Sequence, residues 1–331
     1  MEYWEKVAVI TLVSCLASLL GGVGLLITQY KMDNLHYMLR NLLCFLTIAD
    51  IITDLGYICG TFNYMISNIR SDNISEHTWN TTLCTAQSFV TTFSNMSSFA
   101  WTSIITVHLF LLVRTTKDWE RNTCLKVLYH IIGWFIPGLV TVILLVNDRL
   151  GESYNITTGS WCWIKLNRTD IQATDRGIML LAGKLWEILT YILSLAVFMH
   201  LKITAYIERE TNQTYRWSRM VVNPASLRRG DERFCYIWLP LYLLRFWGTI
   251  RFFFVISNQS SRLLSHDYDF LLYLQCVGDS SHALGNFILF CLLDKEIRGK
   301  YMSVCFRRFE QQEEHEENPT LSVPHQSIAS T

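Results

Sequence analysis

The stretch VAVITLVSCLASLLGGVGLLIT, Val7–Thr28, carries no charge in 22 consecutive positions. A helix rises about 1.5 Å per residue, so this run reaches about 33 Å, enough to cross the hydrocarbon core of a bilayer. The residues before it include Glu2, Glu5 and Lys6. That flank is not basic, and the run exceeds the roughly 7–15 apolar residues of a secretory leader. It therefore reads as a first membrane span behind a short free N-terminus, residues 1–6. Six further stretches of the same kind follow: Leu42–Phe62, Cys84–Val113, Leu125–Val146, Gly177–His200, Phe234–Ser257 and Phe270–Leu293. Lipid offers backbone groups no partners, so each should be a helix. The period-2 alternation of a membrane barrel is absent. Pro137 and Pro240 fall inside spans four and six, where they should kink helices that neighbours support.

Composition agrees with this class. Of 331 residues, 50% are hydrophobic and 17% charged, against about 25% charged in ordinary soluble domains. Lys+Arg and Asp+Glu balance at 28 each, which argues against a basic nucleic-acid binder. The expected architecture is an all-α membrane protein: a seven-transmembrane helix bundle over residues 7–293, a short amphipathic helix after the last span over 294–309, and a disordered cytoplasmic tail over 310–331. In the juxtamembrane helix, Ile297, Tyr301, Cys305 and Phe309 share one face.

Basic residues set the orientation. Connections after spans one, three and five, with the tail, hold 18 Lys+Arg; the other side holds 7 and the spans hold 3. By the positive-inside rule the N-terminus is outside and the C-terminus cytoplasmic. The sequons at Asn73, Asn80, Asn155 and Asn167 all fall in predicted outer loops and are glycosylation candidates. Sequons at Asn95 and Asn212 lie inside span three and in an inner loop, and are read as chance matches.

Of ten cysteines, Cys84 and Cys162 alone sit on the oxidising side. One disulfide between them would staple the second outer loop to span three; two free thiols are the alternative. Cys305 is a palmitoylation candidate or a free thiol. No cysteine or histidine spacing suggests a metal, and no cofactor motif is present.

Ionisable residues within spans cost several kcal/mol unless they face a partner or water. Asp50, Asp279 and His282 fall near mid-span, where Ser98 reaches the same level; these four are expected to form a polar bundle centre. Asp54, Lys184 and Arg251 lie nearer the outer face and Glu187 and Arg245 between the two levels; these five are the candidate ligand-pocket residues. Their cations suit an anionic or phosphate-bearing ligand. Interhelical ion pairs that lock the fold are an equal alternative. Lys184 and Glu187, three apart, share a helical face, as do Asp279 and His282.

Seven spans, an outside N-terminus, a cysteine pair linking span three to the second outer loop and a basic segment after span seven resemble a G-protein-coupled receptor. Trp161-Cys162-Trp163-Ile164, Gly183-Lys184-Leu185-Trp186-Glu187 and Arg245-Phe246-Trp247-Gly248-Thr249-Ile250-Arg251-Phe252 narrow the resemblance to the group related to cyclic AMP receptors, distantly similar to secretin and adhesion receptors. Rhodopsin-like signatures are missing: span three ends His108-Leu109-Phe110 rather than in Asp-Arg-Tyr, and span seven has no proline.

The resemblance implies signalling from an extracellular ligand to a heterotrimeric G protein at the cytoplasmic face, through the basic inner loop Tyr206–Arg233, with Pro240 as a pivot. That loop is equally suited to anionic lipid. Arrestin and a receptor kinase would act at the tail, at Thr320, Ser322, Ser327, Ser330 and Thr331. The expected location is the plasma membrane, with a ciliary pool left open, as are the phospholipase C and cyclic AMP routes. The rival reading is a multi-span transporter or channel using the intramembrane charges, although no internal repeat supports it. No nucleophile, metal or phosphate-loop motif supports an enzyme.

Overall fold

A computed structural model describes residues 3–31, 38–70, 81–114, 119, 122–152, 159–165, 173–211, 231–257, 269–294 and 297–299. Helix α1 is Tyr3–Lys31, α2 Met38–Arg70, α3 Thr81–Arg114 and α4 Thr123–Val146. A two-stranded hairpin follows, β1 (Leu150–Gly151) antiparallel to β2 (Trp163–Ile164), with Leu150 opposite Ile164. Helix α5 covers 173–211, α6 covers 231–257, α7 is Asp269–Asp279 and α8 is His282–Leu292. Helices α1 to α5 each contain a stretch long and apolar enough to cross a membrane.

The side-chain distribution of α1 is that of a lipid-facing helix. Thr11, Cys15 and Ser18 recur at helical spacing and are fully buried, whereas Leu20 is 76% exposed and Val13 60%. In water this would be inside out. In lipid, leucine loses nothing by facing outward, and small residues let helices approach closely. Helix α3 is the axis of the molecule: 72% of its most apolar stretch is buried, against 28% in α4. It packs on α2, α4, α5 and the hairpin, while α8 lies against α1 and α7 against α6. The largest core cluster sits at the end away from Cys84. There Leu39, Leu43 and Leu46 of α2 meet Trp101, Ile105 and Leu109 of α3, Phe234 of α6 and Phe290 of α8.

Among the described residues four wide π turns interrupt the helices, at Ile131–Phe135, Leu180–Lys184, Leu241–Arg245 and Ile288–Leu292. Two have local causes. Pro240 has no N–H to donate, and the turn that follows it closes wide. Gly133 lets the α4 turn lie on the buried Trp101 ring; a Cβ there would stand 2.4 Å from Trp101 Cε2.

The sequence predicts one unbroken last helix over Phe270–Leu293. The structure corrects this: Ser280 and Ser281 separate α7 from α8, with Ser281 at φ −118°, ψ 15°. The sixth segment is also composite, beginning as a 3₁₀ turn at Asp231–Tyr236. Asn73, Asn80, Asn155, Asn167 and Cys305 lie outside the described residues, as do the tail and most of 294–309. Of the latter segment, Ile297 is buried against the main core and its N–H donates to Asp294 Oδ1 at 3.1 Å.

Candidate functional site

A disulfide joins Cys84, in the first turn of α3, to Cys162 in the loop between β1 and β2. One turn further along α3, Gln87 grips the same loop residue twice. Its Oε1 accepts from Cys162 N–H at 2.8 Å, and its Nε2 donates to Cys162 O at 3.3 Å. Ser88 Oγ donates to Trp163 O. These bonds hold Trp161 against Tyr57, with ring centroids 4.7 Å apart, and Trp163 near Phe252 at 6.5 Å.

Beneath the two tryptophans lies a cavity of about 60 Å³. Tyr57, Asn95, Phe99, Trp161, Trp163, Lys184, Glu187, Arg245, Phe252, Gln275 and Asp279 are among the residues lining it. Lys184 is the last residue of the α5 π turn and Arg245 the last of the α6 π turn, so the widened turns set where both cations stand. Glu187, 2% exposed, accepts three hydrogen bonds: from Lys184 Nζ at 2.7 Å, Tyr191 OH at 2.7 Å and Thr249 Oγ1 at 2.6 Å. Arg245, 3% exposed, donates through Nη2 to Asn95 Oδ1 at 2.7 Å and to the Asp279 carbonyl at 3.4 Å. Its Cζ stands 4.9 Å from the Phe99 ring centroid. Asn95 Nδ2 in turn donates to Tyr57 OH at 2.9 Å. Gln275 bridges the remaining charges, accepting from Arg251 Nη1 at 2.9 Å and donating to Asp279 Oδ2 at 3.1 Å.

Of the five residues expected to line a pocket, Lys184, Glu187 and Arg245 border the cavity; Asp54 and Arg251 do not. Arg251 meets the network through Gln275. Asp54 faces Ser18 of α1, one turn along from Asp50.

Three of the four residues expected at the bundle centre come together. Asp50 Oδ1 accepts from Ser98 Oγ at 2.6 Å and contacts His282 Nδ1 at 3.0 Å, and Asp50 Oδ2 accepts from Asn286 Nδ2 at 3.2 Å. This cluster ties α2, α3 and α8. Asp279 is not in it, because the chain breaks between Asp279 and His282 and the two no longer share a helical face. Sequence reasoning passed over Asn95, Gln275 and Asn286. Each is an amide within an apolar span, a polarity signal of the same kind as the charges that were singled out. Among the described residues no group of three or more His, Cys, Asp or Glu could hold a metal ion.

Polar faces turned inward, leucines turned outward and a disulfide-anchored loop over buried charges define a multi-pass membrane protein. The chain belongs to the family described as 7 transmembrane receptor (Secretin family), whose model matches residues 4–222. It is similar to the G-protein coupled receptor 157 of Mus musculus, with 30% identity over 91% of this chain and 86% of that one. The protein of the same name from Rattus norvegicus is 31% identical over 91% and 86%. That of Homo sapiens is 28% identical over 89% and 83%. This membership supports a G-protein-coupled receptor role for the chain.

Proposed function

We propose that the chain transmits an extracellular ligand signal to a heterotrimeric G protein through a seven-helix bundle. In this reading α6 is the sixth crossing and α7 with α8 the seventh. The N-terminus and the disulfide end face outward, and the basic 206–233 segment faces the cytoplasm. The observation that carries the reading is the cavity under Trp161 and Trp163, where charged side chains of α5, α6 and α7 converge. A ligand entering there meets Glu187 on α5, Arg245 on α6 and Asp279 on α7 together, so it biases how these helices pack.

Helix α6 relays that bias. Arg245 closes the wide turn that starts just after Pro240, and Pro240 lies where a Cβ on Gly285 of α8 would come within 3.0 Å. Below this point α6 reaches Phe234, whose ring is 4.7 Å from Phe290. Swinging that end from Phe290 and Arg40 would open a crevice for the G protein. Residues 294–309 lie along the inner membrane surface, anchored by acylation of Cys305. Arrestin and a receptor kinase engage the tail, glycans occupy outer-loop sequons, and the plasma membrane is the site of action.

The test uses the chain reconstituted in lipid nanodiscs with purified heterotrimers of each class. The expected result is a complex with one class that forms without nucleotide and dissociates on adding a GTP analogue. Failure with every class, together with saturable solute flux in vesicles lacking G protein, would favour the transporter instead.

A further inference from the structure

Two opposite charges share the cavity without pairing with each other. Lys184 is bonded to Glu187, and Glu187 accepts three hydrogen bonds, so the two charges offset each other in the cavity wall. Arg245 is different. Its Nη2 contacts are an amide oxygen and a backbone carbonyl, its Nε has no partner, and no carboxylate of a described residue forms an ion pair with it. Asp279 is its counterpart: its Oδ2 accepts from the neutral Gln275 amide, and among the described residues no cation forms an ion pair with its carboxylate. Both residues line the same cavity, of about 60 Å³. A buried guanidinium and a buried carboxylate that satisfy each other poorly are costly unless a third group completes both.

We propose that the cavity holds a small zwitterion, a carboxylate and an ammonium joined by one to three carbons. The carboxylate sits on Arg245 and the ammonium on Asp279. The guanidinium fork matches a carboxylate, and the carboxylate of Asp279 accepts from an ammonium. Phe99, Trp161, Trp163 and Phe252 close the space around the carbons and exclude bulky side chains. A phosphate-bearing ligand is disfavoured, since Lys184 is neutralised by Glu187 and Arg251 does not border the cavity. The inference rests on the receptor reading only for which side of the membrane the ligand comes from; the binding chemistry stands apart from it.

Thermal unfolding of the purified full chain in nanodiscs, without G protein, provides the test. The probes are glycine, β-alanine and 4-aminobutanoate, against acetate and methylamine as single-charge controls. A bound ligand should raise the unfolding midpoint progressively with its concentration. The expected outcome is a rise with at least one zwitterion that neither control nor their mixture reproduces. Which chain length acts best distinguishes an α-amino acid from a longer ω-amino acid. Arg245→Gln and Asp279→Asn should each abolish the rise. Asn95→Asp should do so as well: it keeps the 2.7 Å contact but supplies Arg245 with an internal anion, so the proposal stays testable should the other two variants fold poorly. No rise with any zwitterion, an equal rise with acetate, or a rise that survives in a folded variant would overturn it. A G-protein complex observed alongside such a failure would leave the receptor reading standing and remove only the ligand class.

Discussion

Glu187 accepts three hydrogen bonds in the cavity wall, so its removal should be costly. Glu187→Leu leaves Lys184 buried without its anion and deprives Tyr191 and Thr249 of their acceptor. Breaking one side of such a pair costs about 3–5 kcal/mol, whereas replacing both sides by apolar residues is often close to neutral. The thermal midpoint in nanodiscs should therefore fall sharply in Glu187→Leu and recover much of the loss in Lys184→Met/Glu187→Leu. A double variant no better than the single one would show that the pair is not an isolated unit.

This contact was legible in the sequence because three-residue spacing on a helix survives any tertiary arrangement. The grouping of Asp279 with His282 used the same rule, but among the described residues the two bond to different partners. Their spacing is also three, but Ser280 and Ser281 break the helix between them, and nothing in the local sequence, such as a proline, marks that break. Depth along a span was readable, but the angle around it was not. Asp54 and Asp50 show this, one turn apart yet facing different neighbours.

At the scale of elements, the second loop and the contact between α6 and α7 make separate claims. Losing a disulfide commonly costs about 2–5 kcal/mol. Cys84→Ala and Cys162→Ala should each prevent delivery to the cell surface, read by surface immunolabelling; normal levels in both would discard the loop's anchoring role. The α6–α7 contact depends on Gly278, where an added Cβ would come within 1.8 Å of the Leu244 carbonyl oxygen. Gly278→Ala must push the helices apart and should destabilise by at least about 1–3 kcal/mol. Gly177, in the second turn of α5, has nothing within 4 Å of the corresponding position. Gly177→Ala should be neutral or stabilise by about 0.5–1 kcal/mol, as expected for a helical glycine replaced by alanine. The two midpoints, measured side by side, separate crowding from general sensitivity to substitution.

Element order and approximate ends could be read from apolar run length, which lipid enforces. The π turns could not. Two have local causes, at Pro240 and Gly133, that only packing reveals, and the turns on α5 and α6 decide where Lys184 and Arg245 stand. Asn95 shows the limit of reading motifs without packing: its sequon reads as a chance match, and nothing in the motif points to the side chain's contact with Arg245.

At the scale of the whole molecule, the cavity matters only if it opens to a different compartment from the basic loop. The excess of Lys+Arg on one side argues for that arrangement, because cytoplasmic loops retain such residues. It requires an odd number of crossings, with α6 and the interrupted α7–α8 segment both traversing the bilayer. Epitope tags at both termini of the full chain, stained in intact and then permeabilised cells, test this most directly. The account predicts that the N-terminal tag stains in intact cells and the C-terminal tag only after permeabilisation; staining of both tags, or of neither, in intact cells would contradict it.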